Sequence, residues 1–302
     1  MLSSHSILQE RQPPRLHSFI PACAGGLAVG MVNFMLIIGE KINGSIPSVA
    51  RAIADKDAAW IQNLARIQAG AGADYIDVCA SVKDNEVETL RWLIDLVQEA
   101  TDVPVCIDSP NPEACVAAMP FCKRPGMINS VSMEGNKVEV IFPAVAGTDW
   151  KVVALLCAKG IPSTAEERLR VFDQLMEKAA AYGIKPDSIF VDPLVEMLCT
   201  SDDGINVVAD VIRRVKQKQP AVHVTGAVSN VSFNLPARKL LNQVFLVLAM
   251  NAGMDAGVLD PTSRDLIGAI YAAEAMLGMD EYCLEYIHAF RDNRFGPIKT
   301  NG

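Results

Sequence analysis

Short apolar runs alternate with longer amphipathic segments along this chain, and that alternation constrains its fold more than any other feature. The runs are largely Val, Ile, Leu and Ala, as is typical of parallel strands buried on both faces. Eight runs are predicted to be strands, at residues 35–39, 75–78, 105–107, 127–129, 151–156, 188–191, 222–226 and 256–259.

Segments with helical spacing of their apolar residues separate the predicted strands, at residues 57–68, 86–99, 165–182, 205–216, 237–251 and 263–277. Eight strand–helix units in about 250 residues predict an α/β fold, a (β/α)8 TIM barrel. An open doubly wound sheet could use the same alternation. Its usual signature is G-x-G-x-x-G after the first strand, where this chain has Glu40-Lys41-Ile42-Asn43-Gly44. No break in composition divides the chain, so we expect a single domain.

The two ends of the chain are expected to lie outside the barrel, which we place at residues 35–295, with a tail at 296–302. Residues 1–34 form an N-terminal extension, either a disordered arm or a stretch before the native start, since Met31 and Met35 both offer starts. The apolar residues 19–31 run into the first strand without a polar cleavage region, which argues against a signal peptide. Elsewhere no apolar stretch reaches the roughly 18 residues of a membrane span.

Charge and cysteine usage narrow the class of partner. The chain has 27 Lys and Arg against 35 Asp and Glu, a net charge of −8, which disfavours binding to nucleic acid or to an anionic membrane. Its eight cysteines form no C-x-x-C pair, and its four histidines form no helical H-x-x-H pair. We therefore expect reduced thiols in a cytoplasmic protein without a bound metal.

Polar residues follow or end most of the predicted strands. In a barrel of this kind the C-terminal ends of the strands form the rim that carries the chemistry. The rim residues are Glu40, Asn43, Asp77, Asp108, Ser109, Asn129, Ser130, Asp192, Ser229, Asn230 and Asp260. The set contains no histidine and no nucleophile beside a base.

Each of these residues also has a simpler interpretation as a turn or helix cap, because Asp and Asn before Pro commonly start loops. Asp192-Pro193 and Asp260-Pro261 fit that description, and Asp108-Ser109-Pro110 could cap the next helix. So many short polar groups on one rim instead favour a ligand whose edge alternates hydrogen-bond donors and acceptors. Ionised Asp only accepts hydrogen bonds whereas Asn does both, which suits a pterin ring.

Five stretches at the strand ends carry a resemblance to a known family. They are residues 36–44 (LIIGEKING), 106–109 (CIDS), 127–130 (MINS), 191–194 (VDPL) and 229–232 (SNVS). In this order they resemble the pterin-binding methyltransferases that pass a methyl group between tetrahydrofolate and a corrinoid. The resemblance covers about Met35 to Phe290.

The resemblance implies roles for individual residues. Asp108, Asn129 and Asp192 would hold the pterin ring, and Asn230 would lie beside N5, the atom that carries the methyl group, as the catalytic residue. Asp77 and Ser229 are further pterin-binding candidates. The supporting candidates are Arg238, Glu40 and Asn43. Arg238 would help to position Asn230 or its loop.

The resemblance also implies the substrates and partners. Tetrahydrofolate or 5-methyltetrahydrofolate would be a substrate, and the cobalamin (corrinoid) would be on a separate protein, since this chain lacks the D-x-H-x-x-G motif that supplies a lower-ligand histidine. Family members are often homodimers, so we expect a homodimer.

Two departures from the family pattern bear on the reaction. Cys79 stands where the corrinoid iron–sulfur protein methyltransferases have Asn, and Phe233 stands where they have Gln. We therefore favour transfer from methylcob(III)amide to tetrahydrofolate in an anaerobic demethylation pathway, such as O-demethylation or glycine betaine breakdown. The alternatives are methyltetrahydrofolate-to-corrinoid transfer in acetyl-CoA synthesis, dihydropteroate synthase and a non-catalytic pterin-binding subunit.

Overall fold

The computed structural model describes residues 34–82 and 84–298. Within them, eight parallel strands alternate with helices along the chain. The strands are β1 (Leu36–Asn43), β2 (Tyr75–Cys79), β3 (Val105–Asp108), β4 (Met127–Val131), β5 (Lys151–Leu155), β6 (Ile189–Asp192), β7 (His223–Val224) and β8 (Ala256–Leu259). The helices are α1 (Pro47–Ala54), α2 (Ala58–Gly70), α3 (Glu86–Ala100), α4 (Pro112–Ala118), α5 (Lys137–Val145), α6 (Ala165–Ala181), α7 (Asn206–Lys218), α8 (Arg238–Ala252), α9 (Arg264–Met276) and α10 (Leu284–Arg291).

The strands form a nearly closed barrel in sequence order. Each strand from β1 to β6 pairs in parallel with the next, and β8 pairs with β1. Between β7 and β8 the barrel closes through a single bridge of Ala227 to Val258, together with a hydrogen bond of 3.0 Å from the Val258 amide to the Gly226 carbonyl. The predicted (β/α)8 fold is therefore confirmed, although β7 has two residues where five were predicted.

Alternation along the strands separates the inside of the barrel from the layer beneath the helices. One small cluster of buried side chains fills the interior, namely Ile38, Cys106, Met127, Val153, Phe190 and Ala256. Residues of the opposite parity, such as Ile37, Ile107 and Val152, belong to the larger core between the strands and the helices. A residue two positions beyond an interior residue also faces inward, and this parity determines which polar groups meet.

Four helices were not predicted, α1, α4, α5 and α10. Each has only seven to nine residues. Proline begins α1 and α4 and interrupts α5 at Pro143, so the sequence reads locally as a turn. The N-cap of α4 is Asn111 and not Asp108 or Ser109. The Asn111 side chain accepts hydrogen bonds from the Glu113 and Ala114 amides. Asp108 is therefore free of that capping role.

The predicted N-terminal extension lies outside the described residues except for Phe34, and of the predicted C-terminal tail, residues 296–302, the last four lie outside them as well. Within the described part, none of the helices is long and apolar enough to cross a membrane.

Candidate active site at the barrel mouth

Inward-facing polar side chains lie above the apolar interior cluster, at the C-terminal ends of the strands. On β1 Ile38 is followed by Glu40, on β3 Cys106 by Asp108, on β4 Met127 by Asn129, and on β6 Phe190 by Asp192. Because these strands are parallel, the four polar groups lie at the same end of the barrel. The structure thus brings together residues that are far apart in the sequence.

Asp77, Asp108 and Asn129 form the most compact part of the site. Register pairs Cys79 with Asp108 and Asp108 with Asn129, so the three strands present neighbouring side chains. The Asn129 amide donates a hydrogen bond of 3.3 Å to Asp77 Oδ1. Asp77 itself lies within β2, two residues before its end, and is only 3% exposed. It therefore lies beneath the rim, deeper than the sequence suggested, and Cys79 occupies the end of β2.

Burial disfavours the charged forms of these two acids. Burial raises the pKa of Asp77 well above its ordinary value, and the negative charge of Asp108 adds to this, while hydrogen bonds from Cys106 and Asn129 oppose it. Burial likewise raises the pKa of Asp108 to about 6, against the opposing contact with the Cys79 thiol. Hydrogen-bond donors from a ligand would relieve this cost, because they favour the ionised carboxylate.

Glu40 links β1 to the segment after β7. The Ser229 hydroxyl donates to Glu40 Oε2 at 3.2 Å. Burial raises the pKa of Glu40, the Ser229 hydrogen bond opposes the rise, and the charge of Asp260 adds to it. Glu40 and Ser229 are therefore in contact at the mouth of the barrel. Their positions after two different strands were compatible with this contact but did not predict it.

Asp260 and Asn43 are occupied by structural contacts. Lys41 Nζ lies 3.0 Å from Asp260 Oδ2, and the Thr262 amide and hydroxyl both donate to Asp260 Oδ1. Asn43 Oδ1 accepts from the Ser45 amide at 2.9 Å. The contacts with Ser45 and Thr262 are those of turn-forming residues, as the simpler interpretation predicted. The contact of Asp260 with Lys41 is an ion pair.

Asp192 ends β6 and is held by the turn that follows it. The Leu194 amide donates to Asp192 Oδ1 at 2.7 Å. Burial raises the pKa of Asp192 to about 6, partly offset by the Leu194 hydrogen bond and by the positive charge of Arg168. Like Asp108, it is a desolvated acceptor at the mouth of the barrel.

Asn230 lies on a short 3-10 helix, Val228–Ser232, and its side chain is exposed. Arg238 at the start of α8 donates to the Ser229 carbonyl at 2.8 Å and to the Ser232 hydroxyl at 3.1 Å. The same guanidinium lies 5.6 Å from the centre of the exposed Phe233 ring. Arg238 therefore ties together the segment that carries Asn230, which is the contact expected of a residue that positions that loop.

Sequence reasoning missed Arg168, which is fully buried on α6 and contacts the loop after β6. A signal was available, since Arg168 stands among Ala165, Leu169 and Phe172 at the spacing of the buried face of that helix. A charged residue on an apolar stripe needs a buried partner. Lys41, the partner of Asp260, was also missed, and no spacing in the sequence points to that pair.

The free cysteines are mixed in exposure. Cys79, Cys106, Cys115 and Cys157 are buried, Cys122 is partly buried, and Cys199 and Cys283 are exposed. In the described part of the chain, no three His, Cys, Asp or Glu side chains form a group that could hold a metal ion.

Comparison with known proteins gives the site a context. Residues 42–260 match the model of a family described as pterin binding enzymes. A methylcorrinoid:tetrahydrofolate methyltransferase of Eubacterium limosum is 47% identical over 271 residues, which cover 88% of this chain and 100% of that protein. The methionine synthase of Mycobacterium leprae (strain TN) is 30% identical over 240 residues, 74% of this chain but 20% of the synthase.

A solved structure supports the fold. Dihydropteroate synthase from Xanthomonas albilineans in complex with 7,8-dihydropteroate superimposes with a TM-score of 0.62, covering 82% of this chain and 95% of that one. The two sequences are 19% identical, so this likeness establishes the barrel and nothing about the reaction.

Proposed function

Because this chain belongs to the pterin binding enzyme family, we propose that it is a methyltransferase that moves a methyl group from a corrinoid on a separate protein to N5 of tetrahydrofolate. The observation that carries this proposal is the convergence of Asp108, Asn129 and Asp192 at one barrel mouth, beside the exposed Asn230. The Eubacterium limosum relative, which matches along its whole length, supports the same reaction and the same direction.

The carboxylates suit the polar edge of the pterin. A ring nitrogen and the exocyclic amine of a pterin can donate two hydrogen bonds to one carboxylate. Asp108 and Asp192 are desolvated acceptors in need of such donors, and their pKa values of about 6 leave them largely ionised at neutral pH. Asp77 acts through Asn129. It accepts a hydrogen bond from the Asn129 side-chain amide and so fixes the orientation in which the Asn129 carboxamide faces the ligand. Ser229 and Glu40 complete the wall beside Asn230.

Asn230 acts at the reacting atom. In the proposed direction the N5 lone pair attacks the methyl carbon, the cobalt–carbon bond breaks, its electron pair stays with cobalt, and N5 then loses its proton to water. Asn230 cannot supply or remove that proton, but its carboxamide orients the N5 lone pair and its oxygen accepts from N5–H as positive charge develops. Arg238 holds the Ser229 carbonyl and the Ser232 hydroxyl so that Asn230 stays in place.

A transfer assay followed by visible spectroscopy tests the reaction. We expect methylcobalamin, or a methylated corrinoid protein, to lose its methyl group only when both this protein and tetrahydrofolate are present. Running cob(I)alamin with 5-methyltetrahydrofolate tests the reverse direction, that of acetyl-CoA synthesis. Binding of tetrahydrofolate with no transfer to or from any corrinoid would indicate a non-catalytic subunit, and condensation of a pterin with p-aminobenzoate would indicate a dihydropteroate synthase.

We also propose that the protein is a homodimer, with α8 in the interface. Leu240, Val244 and Leu248 are 60%, 50% and 44% exposed and recur every four residues, so they form one apolar stripe on α8. Val244→Glu should give a monomer in analytical ultracentrifugation, whereas Ile67→Glu, at an exposed apolar site on α2, should not. A monomeric wild-type protein would refute the proposal.

A cytoplasmic location completes the proposal. Its support is that the described cysteines are free thiols, including the exposed Cys199 and Cys283, which suits a reducing compartment. The corrinoid protein would then meet the enzyme at the open mouth of the barrel, beside Asn230.

A further inference from the structure

Arg168 is the largest of the fully buried side chains in the described part of the molecule. It lies in the first turns of α6, outside the barrel, and no role in the proposed reaction has been given to it. Burying a guanidinium completely is costly unless its donors are satisfied, so a buried arginine is retained for the groups it holds.

The groups that Arg168 holds belong to two loops at the barrel mouth. Its Nε donates at 3.0 Å to the Pro162 carbonyl, in the loop between β5 and α6. One terminal nitrogen donates to the Pro193 and Leu194 carbonyls at 2.7 and 2.8 Å, and the other pairs with the Glu196 carboxylate. The planar fork of a guanidinium reaches all of these acceptors at once, which an ammonium group cannot do.

The Pro193 and Leu194 carbonyls belong to the turn that holds Asp192. Leu194 has a φ of +68°, a left-handed conformation that is unfavourable for a residue with a branched side chain and persists only where its surroundings impose it. In this conformation the Leu194 amide points back and donates to Asp192 Oδ1 at 2.7 Å. Arg168 thus binds the Pro193 carbonyl of the same peptide whose Leu194 amide holds Asp192.

Arg168 also acts on Asp192 through its charge. Burial raises the pKa of Asp192, and the positive charge of Arg168 opposes that rise. The strand neighbours contribute no further charge here, since Leu155 pairs with Asp192 on β5 and Thr225 continues β7 on the other side. Glu196 forms an ion pair with Arg168, so its negative charge offsets part of the positive charge that the guanidinium carries.

We propose that Arg168 is a positioning residue for pterin binding: it holds the turn after β6 so that Asp192 presents an ionised carboxylate in one orientation to the ligand. This inference rests on the proposed function, in which Asp192 contacts the pterin. Arg168 touches neither substrate, so its effect is on affinity and on the pH dependence of affinity.

The test measures tetrahydrofolate affinity by calorimetry between pH 5.5 and 9, together with the melting temperature of each variant. Arg168→Met should weaken binding at pH 7 by about tenfold and move the pH at which acid abolishes binding upwards by about one unit. Affinity should recover as the pH is raised. Arg168→Lys keeps the charge but loses the fork, so its pH midpoint should stay near that of the wild type while its affinity falls.

Two further variants keep the test decisive if Arg168→Met does not fold. Glu196→Gln removes the opposing charge and should move the pH midpoint downwards. Arg214→Met removes a partly exposed arginine of α7 that pairs with Glu166 and Asp210, and it should change neither affinity nor midpoint.

A lower melting temperature for the Arg168 variants with an unchanged pH midpoint of binding would overturn the inference. Arg168 would then only stabilise the fold. An unchanged or raised midpoint for Glu196→Gln would do the same. If the wild-type protein itself does not bind tetrahydrofolate, the proposed function fails as well, and the two failures are thereby distinguished.

Discussion

At the scale of single residues, the mouth of the barrel contains two kinds of polar group. Asp77, Asp108 and Asp192 are desolvated acids whose pKa values are raised by burial. Asn230 is exposed and carries no charge at any pH. A buried carboxylate is stabilised most when a bound ligand donates hydrogen bonds to it. An exposed amide beside the reacting atom instead stabilises the charge that develops there in the transition state. The two kinds of residue should therefore differ in which kinetic constant they control.

Asn230→Ala should lower kcat by about 100-fold, the loss of one hydrogen bond made mainly in the transition state. The affinity for tetrahydrofolate should change much less. Stopped-flow measurement of methyl transfer under saturating tetrahydrofolate checks the first statement and calorimetry the second. Asn63→Ala, at an exposed position of α2, serves as the control and should affect neither. Equal losses of rate and affinity would make Asn230 a binding residue.

Asp108→Asn should weaken tetrahydrofolate binding by at least tenfold, because a carboxylate that accepts two donors becomes an amide with one acceptor oxygen. The same change should not lower, and should even raise, the melting temperature of the unliganded protein at pH 8, since it removes a buried charge. Calorimetry and thermal denaturation on the same sample measure both effects. An unchanged affinity would contradict the assignment of Asp108 to the pterin.

At the scale of elements, the spacing of adjacent strands sets how closely the site residues approach each other. Gly126, just before β4, lies against the backbone of β3, and an added Cβ would lie 2.0 Å from the Val105 carbonyl oxygen. The β3–β4 pair in turn aligns Asp108 with Asn129. This glycine is therefore required by the close approach of two strands rather than by a turn.

Gly126→Ala should lower the free energy of unfolding by about 3 kcal/mol, because the clash is with backbone and cannot be relieved by a rotamer change. Urea denaturation measures the loss. Gly70→Ala is the matched control, since an added Cβ at the end of α2 meets no atom within 4 Å, and it should be neutral or slightly stabilising. A neutral Gly126→Ala would mean that β3 and β4 separate easily.

At the scale of the whole molecule, the acids at the mouth influence stability as well as binding. The pKa values of Glu40, Asp77, Asp108 and Asp192 are all raised in the folded protein. A folded state with raised acid pKa values binds more protons than the unfolded chain. Its added stability is complete below the ordinary pKa of about 4 and is lost as the pH rises through the folded values.

We therefore expect Asp108 and Asp192 together to lower the unfolding free energy of the unliganded protein by roughly 3 kcal/mol between pH 5 and pH 8. Denaturation in urea at several pH values, compared with the double variant Asp108→Asn and Asp192→Asn, isolates this contribution. The double variant should show a flatter dependence on pH. The same slope in both proteins would show that other groups set it.

The sequence by itself determined the architecture and the family. Eight apolar runs and the helices between them predicted a barrel, which the structure confirms, and five strand-end stretches predicted the family, which the comparisons confirm. These features are local, because strand propensity and motif order are properties of neighbouring residues. The roles of the individual site residues remain predictions, which the variants above test.

Only the tertiary structure decided which polar residues meet and which remain available. It placed Asp77 below the rim, joined Asp108 to Asn129 by strand register, and paired Asp260 with Lys41 from the opposite end of the chain. It also buried Arg168 against the Pro193 and Leu194 carbonyls, 25 and 26 positions away in sequence, a contact that depends on how α6 packs against the loop after β6. Register, closure and helix packing are non-local, so the desolvation and pairing that tune these acids could not be deduced from residue spacing alone.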